Sequence, residues 1–183
     1  MDKLIAVLLL GALFGTYPNQ TEIQTVHLPA TEISADMTET EDLVFSVYEA
    51  LLEKAEYGDN MEALNEKERI FYITQQVEAE VNNGGFSQFF FNSSGNFSGE
   101  MVSAFEEIGA VQTAQICQRA LDAYPVSLPA EWGERQVLLD EIETDEIYEK
   151  LNACDSSFYE YPENLYLLNY EFIINNKEFF EVE

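Results

Sequence analysis

The sequence predicts an all-α fold, a single compact multi-helix domain of about seven or eight helices after an N-terminal apolar segment and a linker. Apolar residues recur at helical spacing in one segment after another. No stretch combines strand-like alternation with hairpin turns. A chain of 183 residues, 46% of them hydrophobic, is long enough to fold around one core.

Residues 1–15 contain an apolar run, Leu4–Phe14, with Lys3 before it. The run is shorter than the roughly 20 residues of a membrane span, so we expect no stable membrane span. A short apolar run behind a positive residue is typical of an export signal, although residues 15–18 offer no small-x-small cleavage site. We expect an exported protein, periplasmic or extracellular. An uncleaved anchor and a cytoplasmic N-terminal helix are the alternatives.

Residues 16–40 are predicted to be a linker, because they contain Pro18, Pro29 and scattered Ser and Thr without an apolar period. The acidic all-helical domain is expected to span residues 41–183. Its first helix has an apolar side of Val44, Val47, Tyr48, Leu51, Leu52 and Ala55. The second helix should begin near Asn65 and stop at Gly84–Gly85, where a left-handed residue is sterically cheap.

Apolar stripes predict the next three helices. Ser98 is expected to cap a helix that ends at Gly109, with a stripe of Met101, Phe105 and Ile108. The following stripe consists of Ala114, Cys117, Leu121 and Tyr124. After Pro125 and Pro129, the buried side of a further helix is expected to consist of Trp132, Leu138, Leu139 and Ile142.

Two more helices complete the predicted domain. Thr144 can cap the first, whose stripe consists of Ile147, Leu151, Cys154 and Phe158. Pro162 opens an aromatic-rich helix through Leu165, Leu168 and Phe172. Cys117 and Cys154 both fall on apolar sides, so buried free thiols are expected.

The stretch Val81–Gly95, here called the hub, contains no Asp, Glu, Lys or Arg. Its aromatic residues lie between turn-forming Asn, Ser and Gly, which favours a buried joint between helices. The alternative is a small-ligand or catalytic site among its polar groups, namely Asn82, Asn83, Gln88, Asn92 and Ser93. Because no activated nucleophile, phosphate loop or metal-ligand spacing is evident, we expect no enzymatic activity, no cofactor and no metal.

The charge balance is strongly acidic, with 35 acids against 8 bases and a net charge of −27. Direct nucleic-acid binding is excluded, because it depends on Lys and Arg that neutralise phosphates. Residues 84–130 carry 4 acids and 1 base, whereas residues 131–183 carry 15 and 3. A basic protein surface is the expected partner, although solubility alone would also explain an acidic surface. The candidate partner-binding acids are Glu49, Glu53, Glu56, Glu134, Asp140, Glu141, Asp145, Glu146 and Glu149.

The hub and the residues after it resemble the signature of a bacterial family, the DNA-mimic protein nineteen family. The matching stretches are Val81-Asn82-Asn83-Gly84-Gly85-Phe86, Gln88-Phe89-Phe90, Asn92-Ser93-Ser94-Gly95, Ile108-Gly109-Ala110, Arg119-Ala120-Leu121 and Leu151–Tyr159 with Asp155. The resemblance covers about residues 41–175. It implies an acidic all-helical domain, a homodimer, and a protein partner whose DNA-binding face the domain occupies.

The signature residues are uncharged, so they are expected to build the hub and not the mimic surface. They are Asn82, Asn83, Gly84, Gly85, Phe86, Gln88, Phe89, Phe90, Asn92, Ser93, Ser94 and Gly95. The resulting hypothesis is a non-enzymatic acidic interaction protein that binds a basic protein surface, including as a DNA mimic. The export-signal pattern favours a different hypothesis, an exported acidic protein of immunity or structural type.

Overall fold

A computed structural model describes residues 37–180, and most of the helices within this range pack against one central helix. Their bounds are Met37–Lys54 (α1), Glu66–Phe91 (α2), Met101–Glu107 (α3), Val111–Leu121 (α4), Trp132–Ile142 (α5), Asp145–Tyr159 (α6) and Leu165–Asn175 (α7). Short 3-10 segments occupy Glu56–Gly58, Met61–Ala63 and Ser93–Phe97. The described residues contain no strand, which confirms the predicted all-α fold.

The start of α1 lies at Met37, inside the segment predicted as linker. The apolar segment 1–15 and the rest of the linker lie outside the described residues. Between residues 37 and 180, no helix is long and apolar enough to cross a membrane.

The start of α2 near Asn65 is confirmed, and a capping box explains it. Asn65 Oδ1 accepts hydrogen bonds from the backbone N–H groups of Lys67 and Glu68, both at 3.0 Å. Glu68 Oε2 accepts the backbone N–H of Asn65 in return, at 2.9 Å. The same carboxylate binds Lys54 Nζ at 2.7 Å. One acidic side chain therefore starts the central helix and holds the end of α1 against it.

Two helices run antiparallel to the first half of α2. On α1, Lys54 pairs with Glu68, whereas Tyr48 accepts a hydrogen bond from Gln76, about two turns further along α2. On α7, the buried Asn169 accepts from Thr74 at 2.9 Å. Further along α7, the ring of Phe172 lies 5.7 Å from Lys67 Nζ, back towards the start of α2.

The central helix bends at Gly84–Gly85 and continues to Phe91, so the predicted stop is wrong. Gly85 has a φ of 78°, which interrupts the helical hydrogen bonding. Asp155 Oδ1 accepts the backbone N–H of Phe86 at 2.7 Å and thereby caps the second half. A Cβ at Gly85 would collide with that carboxylate. The helix resumes because a side chain from α6 supplies the cap.

The second half of α2 divides its aromatic residues between core and surface. Phe86, Phe89 and Phe90 are fully buried, as helical spacing requires for one inward side. Phe86 contacts Phe158 edge-on with ring centres 5.7 Å apart. Phe91 lies on the outward side and is 47% exposed.

Two local predictions are wrong. Ser98 does not cap α3; it is buried after the Ser93–Phe97 turn, and α3 begins at Met101 without a side-chain cap. On α5, Trp132 is 47% exposed although it was expected to be buried, and the inward side is occupied by Leu139 and Arg135. The rotation of α5 is explained by the contacts of Arg135 described below.

Gly85→Ala should lower the free energy of unfolding by about 2–4 kcal/mol, because the alanine would adopt a positive φ and press on Asp155. Gly99→Ala is the matched control, because a Cβ there meets no atom within 4 Å, and its effect should stay within about 0.5 kcal/mol. Urea unfolding measures both. Equal effects of the two substitutions would contradict the described kink.

Candidate functional site

The polar side chains of the hub meet a carboxylate from outside the signature, Glu80. Its Oε2 accepts hydrogen bonds from Gln88 Nε2 at 2.7 Å and Asn92 Nδ2 at 2.9 Å. Its Oε1 accepts from Ser94 Oγ at 2.9 Å. Glu80 precedes the kink and its three donors follow it, so the carboxylate stabilises the bend across both halves of α2.

The five polar residues considered for a ligand site have different surroundings. Gln88 and Asn92 donate to Glu80, as described. Asn82 Nδ2 donates instead to Tyr161 Oη at 2.5 Å, and that hydroxyl donates to Glu78 Oε1 at 3.2 Å. Asn83 and Ser93 are exposed. Among residues 37–180, no group of three His, Cys, Asp or Glu side chains could hold a metal ion.

Arg135 of α5 is fully buried and binds the end of α2. Its Nε donates to the carbonyl oxygen of Phe90 at 2.7 Å, and Nη2 donates to the carbonyl of Asn92 at 2.8 Å and to Asn96 Oδ1 at 2.9 Å. Its Nη1 donates to the carbonyl oxygens of residues 129 and 130, at 3.0 and 2.8 Å. The guanidinium therefore satisfies carbonyl groups that the helix end leaves without helical partners.

Gly95, the last residue of the signature, lies directly against this guanidinium. A Cβ at Gly95 would stand 2.8 Å from the carbonyl oxygens of Phe89 and Phe90 and 2.9 Å from Arg135 Nε. Burial lowers the pKa of Arg135, but an arginine stays charged in proteins. The glycine leaves the space that the turn and the guanidinium need.

Sequence reasoning missed both Glu80 and Arg135. Residues 131–149 contain eight acids and one base, and that base is Arg135. A lone arginine among acids, one turn before the apolar Leu139, was a usable signal for an inward side chain. Glu80 carried no comparable signal, because it follows Glu78 on an acidic helix.

All nine candidate acids are exposed, but the structure places them on two separate surfaces. Glu49 and Glu53 on α1, and Glu56 in the short segment after it, belong to the part of the chain that lies beside the first half of α2. The other six lie on α5 and α6, whose Arg135 and Asp155 bind the second half of α2.

The exposed side of residues 131–149 is here called the α5–α6 acidic surface. Of its eight acids, seven are exposed and Glu143 is partly buried. Its one base, Arg135, is buried, so no exposed base lies within this segment. Just beyond it, Lys150 pairs with Glu146 at 2.8 Å, where both side chains are more than half exposed. Such an exposed pair contributes little stability.

Three buried titratable side chains, one carboxyl and two thiols, are separate from these surfaces. Burial raises the pKa of Glu78 to about 7, and the hydrogen bond from Tyr161 opposes this shift. Cys117 and Cys154 are buried free thiols, as expected, and burial raises the pKa of each.

These features define a small helical domain that buries an uncharged joint and displays carboxylates. The chain belongs to the DMP19-like protein family, whose model matches residues 62–176. The predicted resemblance to the DNA-mimic protein nineteen family is thereby confirmed, and the family supports a DNA-mimic role in general. The match includes α2 to α7 and omits α1. No curated protein and no solved structure matches the chain significantly.

Arg135→Lys should lower the free energy of unfolding by about 3 kcal/mol, because a lysine ammonium lacks the planar fork that reaches both carbonyl groups and Asn96. Arg119→Lys is the matched control, because Arg119 is exposed on α4, and it should change stability by less than about 0.5 kcal/mol. Denaturant unfolding measures both. A neutral Arg135→Lys would show that the buried contacts contribute no net stability.

Glu78→Gln should become more stable relative to the wild type as pH rises. The folded pKa is about 7 and the ordinary value is 4.5, so between these values the folded wild type binds a proton that the unfolded chain has lost. Wild-type stability therefore falls across this window, by up to about 3 kcal/mol, and the glutamine lacks this loss. Unfolding at pH 4 and pH 8 gives the comparison. A difference that stays constant with pH would contradict a protonated Glu78.

Proposed function

We propose that the protein is a non-enzymatic interaction protein whose carboxylates bind the basic surface of a DNA-binding protein and act there as a DNA mimic. The observation that supports this most is the α5–α6 acidic surface, which has seven exposed acids and no exposed base within residues 131–149; Lys150, one residue beyond, pairs with Glu146. Membership of the DMP19-like family supports the same role.

The spacing of these acids suits a partner that reads phosphates. Asp145 and Glu149 are four residues apart on α6, a rise of about 6 Å. DNA carries a phosphate about every 3.4 Å along each strand, and several rows of carboxylates give a comparable density of negative charge. Ordinary helix surfaces alternate Lys with Glu, but this segment does not. Lys and Arg that bind phosphates can pair with these carboxylates instead.

The scaffold beneath the acids favours binding because it is already ordered. Arg135 binds α5 to the end of α2, and Thr144 Oγ1 caps α6 by accepting the N–H of Ile147. Acids on such helices lose little freedom when a partner binds. Because the charge of Arg135 is directed inward, it does not pair with the exposed carboxylates.

A ligand or catalytic site at the hub is less favoured, because Gln88, Asn92 and Ser94 donate hydrogen bonds to Glu80 and Asn82 donates one to Tyr161. These polar groups are therefore already bonded within the protein.

An exported protein of immunity type would use the same acidic surface against a basic effector. Mass spectrometry of the mature N-terminus distinguishes the DNA mimic from the exported immunity-type protein, because removal of about residues 1–20 favours the exported protein. The homodimer that the family resemblance implies is tested by light scattering.

Neutralising four acids of the α5–α6 acidic surface should weaken partner binding by about ten- to thirty-fold. The substitutions are Glu134→Gln, Asp140→Asn, Glu141→Gln and Glu149→Gln. Exposed acids towards the opposite end of α2 and its neighbours provide a control with the same change in net charge. They are Glu62→Gln, Glu66→Gln, Glu106→Gln and Glu178→Gln.

Basic proteins that elute from a DNA column would be applied to the immobilised wild type, variant and control at low ionic strength. We expect retention by the wild type and the control, with release as salt rises, because screening weakens ion pairs. Retention that is indifferent to several-fold more salt, or equal losses in variant and control, would contradict the proposal.

A further inference from the structure

Three exposed aromatic side chains lie within or beside the α5–α6 acidic surface. Phe91 is 47% exposed, Trp132 47% and Tyr148 40%. Trp132 Nε1 donates to the carbonyl oxygen of Phe91 at 3.0 Å, which places the indole beside the end of α2. The hydroxyl of Tyr148 interacts with the side chain of Ser87.

These contacts bring the three rings onto one face. Ser87 and Phe91 are four residues apart on the second half of α2, so they share a side of the helix with a rise of about 6 Å. Tyr148 lies beside Ser87, and Trp132 lies beside Phe91. Phe91, Trp132 and Tyr148 are here called the aromatic patch.

Carboxylates surround the aromatic patch. Glu143 accepts a hydrogen bond from Tyr148 Oη at 2.6 Å, and Asp140 is close enough to add to the increase in the Tyr148 pKa. Glu131, which caps α5, and Glu134 in its first turn lie on either side of Trp132 in the sequence. The rings therefore lie among acids in a segment without an exposed base.

An arginine side chain matches this combination better than a lysine. A guanidinium stacks on an aromatic face while its N–H groups pair with neighbouring carboxylates, whereas an ammonium is compact and strongly hydrated. If a second copy of this chain bound here through the same patch, the carboxylates around the two patches would face each other, which like-charge repulsion opposes.

We infer that the aromatic patch is the docking site for arginine side chains of a basic protein partner. The inference rests on the proposed function and adds the position and the residue type that the partner presents. Exposed aromatic residues of this kind contribute a large share of the binding energy at protein interfaces.

The test uses two fluorescent 12-residue peptides of equal charge, one of alternating Ala and Arg and one of alternating Ala and Lys. Anisotropy at low salt measures their affinities for the full chain. The wild type should bind the arginine peptide about five- to ten-fold more tightly, the range given by one or two ring contacts. Phe91→Ala should remove most of this preference. Phe179→Ala should keep it, because Phe179 is 42% exposed but lies beside Asn65 at the other end of α2.

Each outcome decides one question. If the wild type binds neither peptide, the proposed function fails together with the inference. If it binds both equally, or if Phe91→Ala keeps the preference, the inference alone is overturned. A wild-type dimer that Phe91→Ala converts to a monomer would also overturn it, by assigning the aromatic patch to self-association. Circular dichroism checks the fold, and Tyr148→Ala replaces Phe91→Ala if that variant does not fold.

Discussion

The buried guanidinium of Arg135 is the interaction on which the packing of α5 against the end of α2, and so the position of the α5 acids, depends. Its acceptors are neutral oxygens: the carbonyls of Phe90 and Asn92 and the amide of Asn96 at or just after the carboxyl end of α2, and the carbonyls of residues 129 and 130 just before α5. The partial negative charge at that helix end favours a cation there, and the five hydrogen bonds offset the cost of removing the charge from water. Because this contact sets the rotation of α5, it also turns Trp132 and the acids of α5 outward.

The uncharged hub depends on charged residues from outside it. Glu80 accepts hydrogen bonds from three polar side chains of the hub. Asp155 caps the half of α2 that follows Gly85, and Arg135 donates to backbone carbonyl oxygens of the hub. The three come from the first half of α2, from α6 and from α5. An uncharged stretch in a chain of net charge −27 is therefore the place where three inward-directed charges converge, whereas the candidate partner-binding acids lie on the surface.

Local patterns predicted much of the fold, and contacts between distant residues account for what they missed. The period of apolar residues and the cap at Asn65 depend on neighbours in the chain, so both could be read from the sequence. The continuation of α2 past Gly84–Gly85 depends on Asp155, 69 positions away from the amide it binds. Burial of Arg135 depends on a carbonyl 45 positions away. The exposure of the acids was predictable, but their separation into two surfaces follows from which half of α2 each helix contacts.

We propose that the α5–α6 acidic surface occupies the site at which its partner binds DNA, so that this chain and DNA exclude each other. The most direct measurement is a titration of the partner bound to fluorescent DNA with the full chain, followed by the anisotropy of the DNA. We expect the anisotropy to fall to the value of free DNA as the chain displaces the DNA from its partner. A rise in anisotropy, from a ternary complex in which the partner holds both DNA and this chain, would contradict it.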